Sequence, residues 1–165
     1  MREIRHIAGD VEGHIPALRR YARGLIGSDG PDPVACADQM VREVVEQALQ
    51  NGQLSAFKSP QLWLYATLTT RNRARRVRAD GLAQRPRALG ADPLAKLPLE
   101  EREALLLVVV EGFGYGQAAS ILGLSKPGVA NRIARARQHL AESQTATSGP
   151  TPSKPRHPTY LRVVK

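Results

Sequence analysis

Residues 97–140 constrain the fold more than any other part of the chain, because they carry the pattern of three consecutive helices with a sharp turn before the last. Apolar residues recur at helical spacing in the first of them, namely Leu105, Leu106, Val109 and Val110. Charged residues occupy the other side of the same segment, namely Glu100, Glu101 and Arg102. The pattern predicts a supporting helix with one buried stripe and one charged face.

A short helix and a tight turn are predicted next. Residues 116–122 include Ala118 and Ala119, whose small side chains let another helix cross closely. Gly123 then supplies the residue that a sharp turn prefers, because glycine adopts a left-handed backbone without steric cost. This order of elements is typical of a helix-turn-helix.

The helix after the turn has the composition of a recognition helix. Ser125 is placed to cap its first turn, while Val129 and Ile133 fall on one apolar stripe. Polar and basic residues project from its other sides, namely Asn131, Arg132, Arg135 and Arg137. Such a helix fits the major groove of DNA, so nucleic acid is the leading predicted partner. The alternative is an ordinary helical hairpin with solvated arginines.

Composition agrees with a basic, helical protein. The 165 residues carry a formal net charge of +9, which favours polyanionic partners. Aromatic residues make up only 4% of the chain, which favours small aliphatic helical modules over β-sandwiches. The single cysteine, Cys36, excludes an intrachain disulfide, and no apolar run approaches the roughly 20 residues of a membrane span. We expect an all-α, cytoplasmic protein without a signal peptide or membrane insertion.

Breaks in the helical periodicity of apolar residues divide the chain into five segments. They are a loosely held leader at 1–13, a helical domain at 14–79, a flexible linker at 80–96, a second domain at 97–142, and a disordered basic tail at 143–165. Three helices are predicted in the first domain: His14–Ile26, Cys36–Gln50 and Gln61–Ala79.

The third of these helices changes character halfway. Its first half is apolar and begins near Trp63, whereas its second half is a dense basic run: Arg71, Arg73, Arg75, Arg76 and Arg78. A helix with one end docked in a core and a cationic end in solvent is suited to tracking a phosphate backbone. A merely solvated basic helix end is the alternative.

No catalytic or metal site is predicted. The histidines at 6, 14, 139 and 157 are scattered, without metal-ligand spacing and without a nearby acidic partner that would orient a general base. Cys36 fits a small apolar packing residue, and the acidic pair at 100–101 fits the start of a helix. We therefore expect neither an enzyme nor a bound cofactor.

Two stretches together resemble bacterial RNA polymerase sigma factors of the extracytoplasmic-function class over roughly residues 14–142. LPLEEREALLLVVVEGFGYGQAASILG is similar to sigma region 4, and WLYATLTTRNRARR to the region 2 helix that meets the minus-ten element. The resemblance implies an all-α protein with two small domains that directs promoter recognition and transcription initiation. It also implies core RNA polymerase, promoter DNA and an anti-sigma factor as partners, and a monomer when free.

The resemblance assigns residues to three surfaces. Recognition of the minus-thirty-five element is implied for Lys126, Asn131, Arg132 and Arg135. Contacts with the minus-ten region are implied for Trp63, Arg71, Asn72, Arg75 and Arg76, with Arg78 in the same cluster. A third stretch, ADQMVREVVEQAL, is similar to the polymerase-docking helix and implies that role for Asp38, Gln39, Arg42, Glu43 and Glu46.

Departures from the family pattern keep a second function open. The docking helix has Gln39, Arg42 and Val45 where the family has an acid, a glutamine and a phenylalanine. The recognition helix lacks a hydroxyl and a cation that the family tends to carry there. A sigma-like mimic that occupies an anti-sigma factor, as in a partner-switching stress response, is therefore the alternative. The retained basic run at 71–78 favours the sigma factor, because a mimic has no need of a phosphate-tracking helix.

Overall fold

The computed structural model describes residues 2–28, 30–51, 59–80 and 93–147. Within them every regular element is helical, which confirms the all-α prediction. The helices are α1 (Arg2–Ile26), α2 (Pro33–Asn51), α3 (Pro60–Asp80), α4 (Leu99–Leu105), α5 (Tyr115–Leu122) and α6 (Lys126–Thr147). We call α1–α3 the N-terminal unit and residues 93–147 the C-terminal unit. No helix in the described ranges is long and apolar enough to cross a membrane.

The N-terminal unit is a three-helix bundle around an aliphatic and aromatic core. Leu18, Tyr21 and Leu25 of α1 are fully buried, as their spacing predicts. Local signals set the start of α2, where the Asp32 carboxylate accepts a hydrogen bond from the Ala35 N–H at 2.9 Å. A buried hydrogen bond of 2.8 Å between the Tyr21 hydroxyl and Thr69 ties α1 to α3.

The first helix is longer than predicted. It begins at Arg2 rather than His14, so residues 2–13 are helical and the expectation of a loosely held leader is wrong. Val11 is only 2% exposed, and its packing on the core extends the helix toward the N-terminus. The apolar stripe therefore starts at Val11, before the predicted helix start at His14.

The helix-turn-helix is confirmed. Gly123 adopts a left-handed backbone with φ of 69° between α5 and α6. Ser125 caps α6 by accepting a hydrogen bond from the Gly128 N–H at 3.2 Å. The residues predicted at the helix crossing and on the apolar stripe are all buried, namely Ala118, Ala119, Val129 and Ile133.

The supporting helix departs from the prediction in register. After Leu105 it continues as a π-helical turn, Leu106–Val110, in which the Glu111 N–H donates to the Leu106 carbonyl at 2.9 Å. The wider turn rotates the following side chains about the helix axis. Val109 and Val110, predicted to be inside, are therefore 57% and 39% exposed.

The charged side of α4 is only partly where it was expected, because Glu100 is exposed but its two neighbours are not. Glu101 and Arg102, predicted on the solvent side, are 6% and 2% exposed, and Glu103 is fully buried. The reason is that α4 packs against α6 and α1 together, so its two opposite sides are both covered. Amphipathic patterning assumes one covered face, and this helix has more than one.

The predicted linker and tail are described only in part. Leu94–Lys96 forms a 3₁₀ turn, and Leu97 is 2% exposed, so the end of the linker belongs to the folded C-terminal unit. Helix α6 runs to Thr147, past the predicted domain end at 142. Residues 81–92 and 148–165 lie outside the described residues, and the proposed domain boundaries stay a prediction.

Replacing Gly123 by alanine is expected to destabilise the helix-turn-helix. A Cβ there has open space, so the cost is the left-handed backbone alone, about 1–2 kcal/mol. Gly13→Ala is the matched control, because it lies inside α1 with open space and should stabilise the helix by up to about 1 kcal/mol. Urea unfolding monitored by circular dichroism measures both, and equal signs would contradict the expectation.

Candidate nucleic-acid interface

The two units share one continuous core, and this contact determines which predicted site residues are accessible. Helices α1 and α3 meet the π-helical turn and α5. At Gly24 the approach is so close that an added Cβ would lie 2.7 Å from Leu106 Cδ2. Tyr65 of α3 packs edge-to-face on Phe113, with ring centroids 4.8 Å apart. The N-terminal and C-terminal units therefore pack as closely as parts of one domain.

Glu111 is the first polar centre of this contact. Its side chain is 2% exposed and accepts hydrogen bonds from Arg20 Nε at 2.9 Å and Arg20 Nη2 at 2.8 Å. The Tyr65 hydroxyl donates a third hydrogen bond at 2.8 Å. Burial, reinforced by this hydrogen bond, raises the pKa of Tyr65, so the phenol stays protonated and remains a donor. One carboxylate of the C-terminal unit thus joins α1 and α3.

Glu103 is the second polar centre, and its side chain is completely buried. Arg73 of α3 binds it in a forked geometry, with Nη2 at 2.6 Å and Nε at 2.9 Å from the carboxylate oxygens. The hydrogen bond to Glu103 raises the pKa of Arg73. Arg73 belongs to the basic run of α3, yet here it neutralises a carboxylate and does not face solvent as a free cation.

Arg102 adds contacts to backbone carbonyls. Its Nη1 donates to the Leu25 carbonyl at 3.1 Å, in the last turn of α1. Its Nη2 donates to the carbonyls of Ala95 at 2.6 Å and Leu97 at 3.2 Å. A cation at the carbonyl end of a helix is favoured by the helix dipole. Arg102 therefore joins α4 to the end of α1 and to the 3₁₀ turn.

The two buried carboxylates, Glu103 and Glu111, were not predicted from the sequence. Glu103 and Leu107 are four residues apart, so the carboxylate lies on the buried stripe of α4. Glu111 directly follows a run of six apolar residues. A charge on a buried stripe requires a partner, and that was the available signal. The sequence could not name the partners, because they are 30 and 91 residues away.

The basic run of α3 is only partly available to DNA. Arg71 binds Glu43 at 2.8 Å and Gln47 at 2.7 Å, which ties α3 to α2. Asn72 is fully buried, so in this arrangement its predicted contact with DNA is not possible. Trp63 is half-buried and packs against the core. The buried face of α3 carries Asn72, because this helix contacts α1, α2 and α5.

Further along α3 the arginines are more accessible. Arg78 is exposed, while Arg75 and Arg76 are half-buried. Arg75 and Arg78 also line a pocket between α2 and α3. The accessible part of the predicted cluster is therefore the last two turns of α3.

The predicted docking residues lie along one side of α2. Gln39 donates to Glu43 at 3.2 Å, and Arg42 donates to Gln39 at 3.3 Å. Asp38 instead pairs with α1, at 3.2 Å from Arg23. Glu46 is exposed. The structure brings together Gln39, Arg42 and Glu43 as one hydrogen-bonded row.

On the recognition helix, three of the four predicted residues are exposed: Lys126, Asn131 and Arg135. Arg132 differs, because its side chain is 20% exposed and its Nη2 binds Glu100 of α4 at 2.9 Å. His139 likewise faces α4, with Nδ1 2.7 Å from Glu101. The expectation that the histidines lack an acidic neighbour is wrong for His139, whose partner is 38 residues away.

Two family profiles match the chain, one in each unit. Residues 94–140 match the family described as Sigma-70, region 4. Residues 11–69 match the Sigma2 domain of PhyR. The first match covers α4, α5 and most of α6, and the second covers α1 from residue 11, all of α2 and about half of α3.

A full-length relative decides the family. The ECF RNA polymerase sigma factor EcfG of Rhodopseudomonas palustris (strain TIE-1) is 31% identical, with 80% of this chain and 81% of the relative covered. The chain belongs to the extracytoplasmic-function (ECF) family of RNA polymerase sigma factors. The resemblance on which the site assignments rest is thereby confirmed at the level of the family.

Two solved structures resemble this sigma factor. The sigma factor RpoE bound to the anti-sigma factor NepR from Bartonella quintana has a TM-score of 0.59 at 27% identity, covering 79% of this chain and 91% of that one. The PhyRSL–NepR complex from Sphingomonas sp. Fr1 has a TM-score of 0.62 at 28% identity, covering 94% and 99%.

Neutralising both buried carboxylates is expected to separate the two units. Glu103→Gln together with Glu111→Gln keeps the side-chain shape but removes the charge that Arg73 and Arg20 bind. The radius of gyration from small-angle X-ray scattering should rise while helix content stays constant. Glu12→Gln, on the exposed face of α1, is the control. Unchanged scattering from the double variant would show that apolar packing alone holds the units together.

Proposed function

We propose that this ECF sigma factor directs core RNA polymerase to promoters, with α6 reading the upstream element. The observation that carries the proposal is the exposure of Lys126, Asn131 and Arg135 on α6, in a helix-turn-helix whose apolar side is buried. That unit matches Sigma-70, region 4 over residues 94–140. The chemistry of initiation belongs to polymerase, and the sigma factor supplies position and sequence choice.

The exposed residues of α6 suit distinct parts of DNA. The Asn131 amide has the donor and acceptor needed for the edge of adenine in the major groove. Arg135 and Lys126 provide cations for guanine or for phosphate. We assign Arg132 to a different task, because its ion pair with Glu100 fixes α6 on α4. Base reading is therefore proposed for Asn131 and Arg135, and support for Arg132.

The N-terminal unit supplies polymerase docking and contacts to the minus-ten region. The row of Gln39, Arg42 and Glu43 on α2 is proposed to dock on core polymerase, flanked by Asp38 and Glu46. Arg75, Arg76 and Arg78 are proposed to meet phosphates. Arg73 becomes available to DNA only when the units separate, since it binds Glu103 of the C-terminal unit. Asn72 is fully buried and becomes available only if the packing around α3 changes.

The relative position of the units is proposed to change between states. In the arrangement seen here, Arg73 and Arg20 bind carboxylates of the C-terminal unit. Residues 81–92, which join the units, include two glycines, three alanines and Pro86, a composition typical of a linker. We propose that the free, inhibited and polymerase-bound forms differ in this orientation, and that the protein is a cytoplasmic monomer when free.

A second candidate function rests on the N-terminal match. Residues 11–69 match the Sigma2 domain of PhyR, and the chain resembles a PhyRSL–NepR complex. A mimic would occupy an anti-sigma factor without initiating transcription. An anti-sigma factor is a proposed partner under both functions, because the RpoE structure was also solved with NepR. The two functions differ in whether core RNA polymerase initiates transcription with this protein.

Reconstitution with core RNA polymerase distinguishes them. We expect the full-length protein to start RNA synthesis at a set of genomic fragments that share an upstream motif, because it has both DNA-facing units. Core polymerase alone is the control, and RNA 5′ ends are mapped by sequencing. No promoter-specific initiation, together with stoichiometric capture of a small anti-sigma protein, would establish the mimic instead.

Recognition of a specific DNA sequence is expected to depend on Asn131. In the full-length protein, Asn131→Ala should cost on the order of 1–3 kcal/mol on the selected upstream element and little on a scrambled one. Arg137→Ala is the matched control, since this exposed arginine of α6 is not one of the residues proposed to read bases and should weaken both DNAs equally. Equal losses on both DNAs for Asn131→Ala would show that this residue does not read sequence.

A further inference from the structure

A cationic pocket lies in the N-terminal unit, on the side of α3 that faces α2. Its volume is about 310 Å³, which is in the range of small-molecule sites. The residues that matter for its chemistry are Cys36, Met40, Glu43, Arg71, Arg75 and Arg78. The pocket is separate from the exposed face of α6, because α2 and α6 belong to different units.

The charges around this pocket do not balance. Glu43 lies 2.8 Å from Arg71 and neutralises it. Within the described part of the chain, neither Arg75 nor Arg78 has an acidic partner. Two guanidinium groups three residues apart on one helix face therefore leave an uncompensated positive charge at the pocket. Such an arrangement favours an anionic ligand.

Arg75 carries an unused hydrogen-bond donor. Its Nε is inaccessible to solvent and has no partner among the described residues. Buried donors are almost always paired, so an unpaired one marks a place where an acceptor is missing. Rotation of the Arg75 side chain would present Nε–H and Nη–H as a fork, the geometry that matches phosphate oxygens.

The shape of the pocket favours a terminal phosphate over a nucleic-acid backbone. A backbone phosphate carries a sugar on both sides, so its strand must continue past the recess at both ends. A terminal phosphate enters a recess with its free oxygens first. The apolar wall at Met40 and Cys36 can accept the carbon part of such a ligand.

We propose that this pocket binds the terminal phosphate of a small phosphorylated ligand, such as a nucleoside diphosphate, through Arg75 and Arg78. The two guanidiniums supply the charge and the donors, and the wall at Met40 packs against the ligand's apolar part. The site acts on the free protein, because promoter DNA and core polymerase would compete with the ligand for Arg75, Arg78 and Glu43. It does not depend on whether the chain initiates transcription or occupies an anti-sigma factor.

Nuclear magnetic resonance of the arginine Nε–Hε groups tests the proposal on the full-length protein. Titration with inorganic phosphate and then with adenosine diphosphate should shift the Arg75 signal to saturation. In the Arg75→Gln protein the Arg78 Nε–Hε signal is followed instead, and binding should weaken by about tenfold to a hundredfold, as expected for loss of a charge-assisted contact. Arg137→Gln makes the same charge change on exposed α6 and should leave binding unchanged.

Two results would overturn the proposal. Shifts that never saturate and are equal in the Arg75→Gln and Arg137→Gln proteins would be general ionic screening. Saturation of the Arg75 signal by a 5′-hydroxyl oligonucleotide as tightly as by the diphosphate would make the ligand a nucleic-acid backbone. Arg78→Gln is the second variant if Arg75→Gln does not fold, because Arg78 is exposed. Its phosphate affinity should fall in the same way.

Discussion

Two buried carboxylates, each of which needs a cationic partner, determine how this chain is arranged. Glu103 is fully buried, and the Glu111 side chain is 2% exposed. Both belong to the C-terminal unit, and both find their cations on the N-terminal unit, at Arg73 and Arg20. Desolvating an unpaired carboxylate costs several kilocalories per mole, so the paired arrangement holds the units in one register.

This contact gives the two predicted DNA surfaces different availability. The exposed face of α6 points away from the shared core, and Asn131 and Arg135 are accessible as they stand. On α3, Asn72 is buried and Arg73 is bound to Glu103. A partner that separates the units would release Arg73 from Glu103 and leave the exposed residues of α6 as they are.

The π-helical turn at Leu106–Val110 lies where the units meet. Its wider turn places Leu106 against Gly24 and carries Glu111 toward Arg20 and Tyr65. The same rotation leaves Val109 exposed. A regular α-helix through this segment would shift each of these side chains by a fraction of a turn. The irregularity is thus part of the interface between the units.

The sequence alone determined the presence and order of the helices, because these depend on local spacing. It also determined the helix-turn-helix, through Gly123 and Ser125, and the family, through contiguous motifs. The tertiary structure decided which charged residues are buried and with whom they pair. Arg73 and Glu103 are 30 residues apart, and Arg132 turns toward Glu100 of another helix. Periodicity reports one buried face for each helix. It cannot report a second covered face, since that depends on which distant helix packs there.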